Sequence, residues 1–146
     1  MERDWKQVTR HLGQALSTDP ERGPAEAALV ALSLDHAYQA FEQLLVTVER
    51  ALGLPPRLGD RWHRALLADA ARPIPSVRPE VLPAKAEADW EEILGFRHFL
   101  RHAYAVELDP ARLSRNVGRL QQAIAATEGA VAGLMAVLDP QAERDP

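Results

Sequence analysis

A chain of 146 residues, 47% of them hydrophobic, is long enough to bury a single core. It contains no cysteine, which excludes disulfides, thiolate catalysis and cysteine-based zinc sites. Its formal net charge of -4 excludes a surface built as a whole for nucleic acid. The charge is uneven, however: residues 57–119 hold 11 basic and 9 acidic groups, while both flanks are net acidic, so any anion site belongs in the middle of the chain.

Taken in order, the first predicted helix covers residues 2–17, with Trp5, Val8, Leu12 and Leu16 on one face. Thr18-Asp19-Pro20 stops it, and Gly23-Pro24 opens a long second helix. Leu34, Tyr38, Phe41, Leu45, Val48 and Leu52 form its stripe, with Asp35 and Glu42 on other faces. Gly53 caps it and Pro55-Pro56 forbids continuation. Asp60 is placed to cap a short third helix over about residues 61–71, with Trp62, Ala65, Leu66 and Ala70 apolar. Four prolines between Arg72 and Pro83 then impose an extended connection, with Ile74, Val77, Val81 and Leu82 expected to pack inward.

The fourth helix is predicted from about Ala84 to Tyr104. Asp109-Pro110 reads as an N-cap and first-turn proline opening a fifth. That helix carries a regular stripe: Leu113, Val117, Leu120, Ile124, Thr127, Val131, Leu134 and Leu138. A second, small-residue face (Ala126, Gly129, Ala130, Gly133, Ala136) would let a neighbouring helix come close. Asp139-Pro140 ends it. No stretch alternates as a strand would, so the expected fold is an all-α bundle of four to five helices. It is expected to be a single domain over residues 1–138, with a frayed tail at 139–146. No apolar run approaches the ~20 residues of a membrane span, and the opening MERDWKQ lacks the apolar core of a signal peptide. The expected location is therefore the cytoplasm, away from any membrane.

One window stands out. Arg97-His98-Phe99-Leu100-Arg101-His102-Ala103-Tyr104 holds two arginines, two histidines and a tyrosine, and the nearest acids along the chain are Glu92 and Glu107. On a helix, Arg97, Arg101 and Tyr104 fall on one flank of the apolar stripe, and His98 and His102 stack four apart. Arginine forks hold phosphate, and histidine moves protons near neutral pH, so the window suits a phosphodiester. Other chemistries find less support. There is no glycine-rich phosphate loop, and none of Ser17, Ser33, Ser76 and Ser114 sits in an elbow sequence. The His98/His102 pair has the spacing of a metal chelate, but Arg97 and Arg101 repel cations. Neither a metal nor another cofactor is expected. Asp60 and His63 are read as structural; His11 and His36 have no partner in view.

Arg97-x4-His102-x-Tyr104 resembles the R-x4-6-H signature of the HEPN family, extended as H-x-Y in its HepT-like branch, with His98 at the polar position after the arginine. Gly59-Asp60-Arg61-Trp62-His63, Val77-Arg78-Pro79 and Glu107-Leu108-Asp109 extend the resemblance over roughly residues 25–138. It implies a helical bundle that forms a symmetric homodimer and brings two motifs into one cleft. It implies a metal-independent endoribonuclease in which the RNA 2′-hydroxyl attacks the adjacent phosphorus. His102 would be the general acid or base, and Arg97 would hold the phosphate. His98 and Arg101 would support RNA binding. It also implies a toxin paired with an MNT-type nucleotidyltransferase antitoxin that transfers AMP to Tyr104. Arg97 and His102 are five positions apart, about 140° on an ideal helix. Either the helix distorts, or each phosphate meets Arg97 of one subunit and His102 of the other. The alternative reading is a catalytically silent helical adaptor or a nucleotide- or protein-binding module.

Overall fold

A computed structural model describes residues 1–102 and 108–138. Tyr104 and the expected tail at 139–146 lie outside the described residues. The described residues fold as five helices: α1 (Glu2–Leu16), α2 (Pro24–Ala51), α3 (Trp62–Ala70), α4 (Ala84–His102) and α5 (Pro110–Leu138). Among the described residues there is no strand, only one isolated bridge between Ile74 and Arg78. The architecture is the all-α bundle the periodicity requires.

Helix α2 is the axis of the bundle and meets each of the other four helices. Its stripe from Leu34 to Val48 is buried, together with Ala27, Val30, Ala31, Ala37 and Leu44. A helix apolar around most of its girth has to be surrounded. It ends where Gly53 takes φ 71, a left-handed value that a Cβ would disfavour. At the centre Trp90 of α4 stacks on Phe41 of α2 with ring centroids 3.9 Å apart. The Trp90 Nε1–H donates to Thr127 Oγ1 at 3.2 Å, and that hydroxyl donates to the Ala123 carbonyl at 2.6 Å. This explains the one polar residue in the α5 stripe: the threonine satisfies an indole N–H that burial would otherwise strand.

Several expectations are corrected. Leu16 is 52% exposed, and Ala15 is buried in its place. Ala15 lies seven positions after Val8, nearly two full turns, and Leu16 is rotated a further ~100° away. Asp60 does not cap α3; the helix starts one residue later, with Arg61 in the cap position and no side-chain cap bond. Ala65 is exposed, and Leu66, Leu67 and Ala70 make the inward face. In the proline-rich connection Val81 and Leu82 are buried and Ile74 is half-buried, but Val77 points outward and Arg78 is buried. The Arg78 fork donates to the carbonyls of Asp69, Arg72 and Pro79, closing the open end of α3. The small-residue face of α5 is divided: Ala126 packs against the core, but at its glycines no neighbouring helix comes close among the described residues. Gly129 and Gly133 are exposed, and a Cβ at either would meet nothing within 4 Å. The Asp109 cap is as expected, its Oδ1 accepting from the Ala111 N–H at 3.0 Å. His11 and His36, without partners in the sequence, meet edge to face at 5.2 Å between ring centroids. Burial holds His11 below the ordinary histidine pKa.

Candidate functional site

The last two turns of α4 carry the cationic window, and the helix turns its members to different surroundings. Arg97 faces inward and is 7% exposed. Its Nε–H donates to Asp35 Oδ1 of α2 at 2.6 Å. The guanidinium also lies 5.5 Å from the Tyr38 ring centroid, one turn further along the same face of α2. A cation taken out of water needs a carboxylate and a π-face in compensation, and α2 supplies both. The bond to Asp35 uses Nε, leaving the two terminal amino groups of the fork outside it.

His98 and His102 are exposed, and their rings meet edge to face with centroids 4.3 Å apart. Arg101 is also exposed. The structure therefore brings His98 and His102 together on the outer surface and separates them from Arg97, which is directed into the α2 interface. Arg97 and Arg101 do not share one exposed flank, and the expected place of Tyr104 beside them falls outside the described residues. Nor is the window free of acids in space: Asp35 reaches it from 62 residues away in sequence.

The face of α2 that receives Arg97 continues as a polar ladder, which corrects the placing of Glu42 on a face away from the apolar stripe: it is buried. Asp35, Tyr38 and Glu42 recur at steps of three and four. Tyr38 is fully buried, and among the described residues its hydroxyl has no hydrogen-bond partner. Burial, reinforced by the Glu42 carboxylate, pushes that phenol well above its ordinary pKa. Glu42 is 7% exposed and meets His63 Nδ1 of α3 at 2.6 Å. The His63 ring stacks on Trp62 with centroids 4.0 Å apart. His63 is thus anchored by a buried acid from another helix, not by Asp60. The available signal was an acid, Glu42, directly beside Phe41 in an apolar stripe.

Among the described residues no three His, Asp or Glu side chains gather into a group that could hold a metal ion, and no helix is long and apolar enough to cross a membrane. A family model described as HepT-like protein matches residues 29–138, from early α2 to the end of α5. No curated protein and no solved structure matches the chain.

Proposed function

The chain belongs to the HepT-like family, and on that premise we propose that it is a toxin that cleaves RNA without a metal or other cofactor, at a cleft shared by two copies of the chain. The observation that carries this reading is the pair of exposed imidazoles at the end of α4, the His102 ring centroid 4.3 Å from that of His98. In the proposed reaction the 2′-hydroxyl loses its proton to a base and its oxygen bonds to phosphorus. The P–O5′ bond breaks, and the departing oxygen takes a proton, leaving a 2′,3′-cyclic phosphate and a 5′-hydroxyl. His102 takes or gives one of these protons, and His98 polarises or orients it. The terminal amino groups of Arg97 bind the phosphate oxygens as charge develops on them. Arg101 adds positive charge to the cleft.

Five positions separate Arg97 from His102, about 140° on the helix, and their different burial agrees with that angle. A two-fold dimer offers each phosphate the Arg97 of one subunit and the His102 of the other. Mixing Arg97→Ala subunits with His102→Ala subunits should therefore restore part of the activity that each variant lacks alone, because one composite site stays intact. A mixture as inactive as its components contradicts the shared site. A catalytically silent adaptor is the second reading, favoured by the burial of Arg97 and its engagement with Asp35. Regained activity in the mixture rules it out.

The proposed regulator is an MNT-type nucleotidyltransferase antitoxin acting in the cytoplasm on Tyr104. An AMP phosphate there would compete with RNA for Arg97 and Arg101. Mass spectrometry of the co-expressed pair should find adducts in multiples of AMP on the peptide containing Tyr104, absent in Tyr104→Phe. A harmless but unmodified co-expressed protein contradicts this assignment.

A further inference from the structure

A cleft of about 600 Å³ opens between α4 and α5, with Arg64 of α3 at its edge. It lies outside the residues the proposed reaction uses, yet it is in line with them. Its wall includes Gly95, seven positions before His102, so the two lie within about 20° on the helix and about 10 Å apart along it. Gly95 is exposed, and a Cβ there would meet nothing within 4 Å, so α4 offers bare backbone at this point. The end of the cleft nearer the histidines is lined by Arg112, whose guanidinium lies 4.2 Å from the Phe99 ring centroid and 5.4 Å from that of Phe96.

The lining is balanced in charge, with Arg64, Arg112 and Arg119 opposite Asp89, Glu91 and Glu92. Only one of these pairings is an ion pair, the loose contact of Arg119 with Glu92 at 3.8 Å. Asn116 adds a more specific signal. It is 2% exposed, and its Nδ2 donates to the Arg112 carbonyl at 3.0 Å. A carbonyl can only accept, so the amide is fixed with Oδ1 on the other side, and Oδ1 has no partner among the described residues. Asn116 lines the cleft between its two flanking arginines on α5. The site thus combines cations that accept a phosphate with acceptors that require N–H donors. A continuous polyanion would meet the carboxylates and be repelled. A nucleotide satisfies both sets, its phosphate on the arginines and its base edge on Glu92 and Asn116.

We propose that this cleft is a base-reading subsite for single-stranded RNA, taking an amino-bearing base (adenine, cytosine or guanine) next to the scissile phosphate and disfavouring uracil. Uracil presents two carbonyls around a single N–H and no amino group, so it sets two acceptors against a lining rich in acceptors and offers one donor to it. Arg112 and Arg119 swing onto the phosphate and uncover Asn116, and the base lies across the bare backbone at Gly95. The inference rests on the proposed ribonuclease function and deepens it.

The test uses fluorescein-labelled 2′-O-methyl hexamers of A, C and U, which lack the attacking hydroxyl and cannot be cleaved, with binding read as anisotropy on the full chain. The A and C hexamers should bind about tenfold more tightly than the U hexamer. Gly95→Leu, which fills the cleft from an exposed position, should erase the preference, and Glu92→Gln should reduce it. Equal affinity for all three hexamers, or a preference that survives Gly95→Leu, overturns the subsite. So does 5′-AMP binding as tightly as the A hexamer, which would make the cleft a free-nucleotide site. If the chain cleaves RNA yet shows no preference, the subsite fails and the ribonuclease reading stands. If it neither binds nor cleaves RNA, both fail.

Discussion

His102→Ala is expected to lower RNA cleavage by about 10²–10⁴-fold, the range over which a positioned acid or base acts. The same substitution should leave the melting temperature nearly unchanged. His102 is exposed, and its described aromatic contact is the edge of His98, so removing the ring strands no buried group. Growth on expression should recover in step with RNA integrity. A His102→Ala protein that still cleaves at the wild-type rate would place the chemistry elsewhere. His98→Ala should cost less, because the ring it removes acts on His102 and not on the substrate proton.

Asp35→Ala should have the largest effect on stability of any charged residue near the site. Arg97 is 8% exposed along its side chain and Asp35 23%. Removing the carboxylate leaves a guanidinium in the α2–α4 interface with only the Tyr38 ring, among the described residues, for compensation. Breaking a buried pair from one side costs about 3–5 kcal/mol, and the partial exposure of Asp35 puts this case at about 3 kcal/mol. Denaturant unfolding of the two proteins measures it directly. Asp35→Asn keeps an acceptor for the Arg97 Nε–H and should lose less. The double variant Asp35→Leu with Arg97→Met removes both charges and should recover most of the stability while remaining inactive. That contrast separates the role of Arg97 in the fold from its role in the cleft. A single variant Asp35→Ala as stable as wild type would mean that the ion pair contributes little, and that Arg97 is held by packing alone.

The parts of this molecule legible in the sequence are those set by neighbours along the chain. The α2 and α5 stripes follow from steps of three and four, and the start of α5 from Asp109-Pro110, because a helix decides its own faces and ends locally. Non-local partners were not legible. Asp35 and Arg97 each sit at an unremarkable position on their own helices, and only the depth at which α2 and α4 dock brings them to 2.6 Å. The same holds for Glu42 and His63, joined across 21 residues. The inward turn of Arg78 was not legible, because alternation along the proline-rich connection marks its neighbour Val77 as the inward residue. The open carbonyls at the end of α3 recruit the arginine instead, and Val77 turns to solvent. The angular argument from spacing fared better. It separated Arg97 from His102, and one faces α2 while the other faces solvent.

The most direct measurement of the central claim is the chemistry of RNA ends after digestion by the purified chain in excess EDTA. The account predicts continued cleavage, with 2′,3′-cyclic phosphates and 5′-hydroxyls on the products, and about 10²–10⁴-fold less of both from His102→Ala. Cleavage that stops with the chelator and returns with zinc or manganese, or products ending in 5′-phosphates, would contradict it.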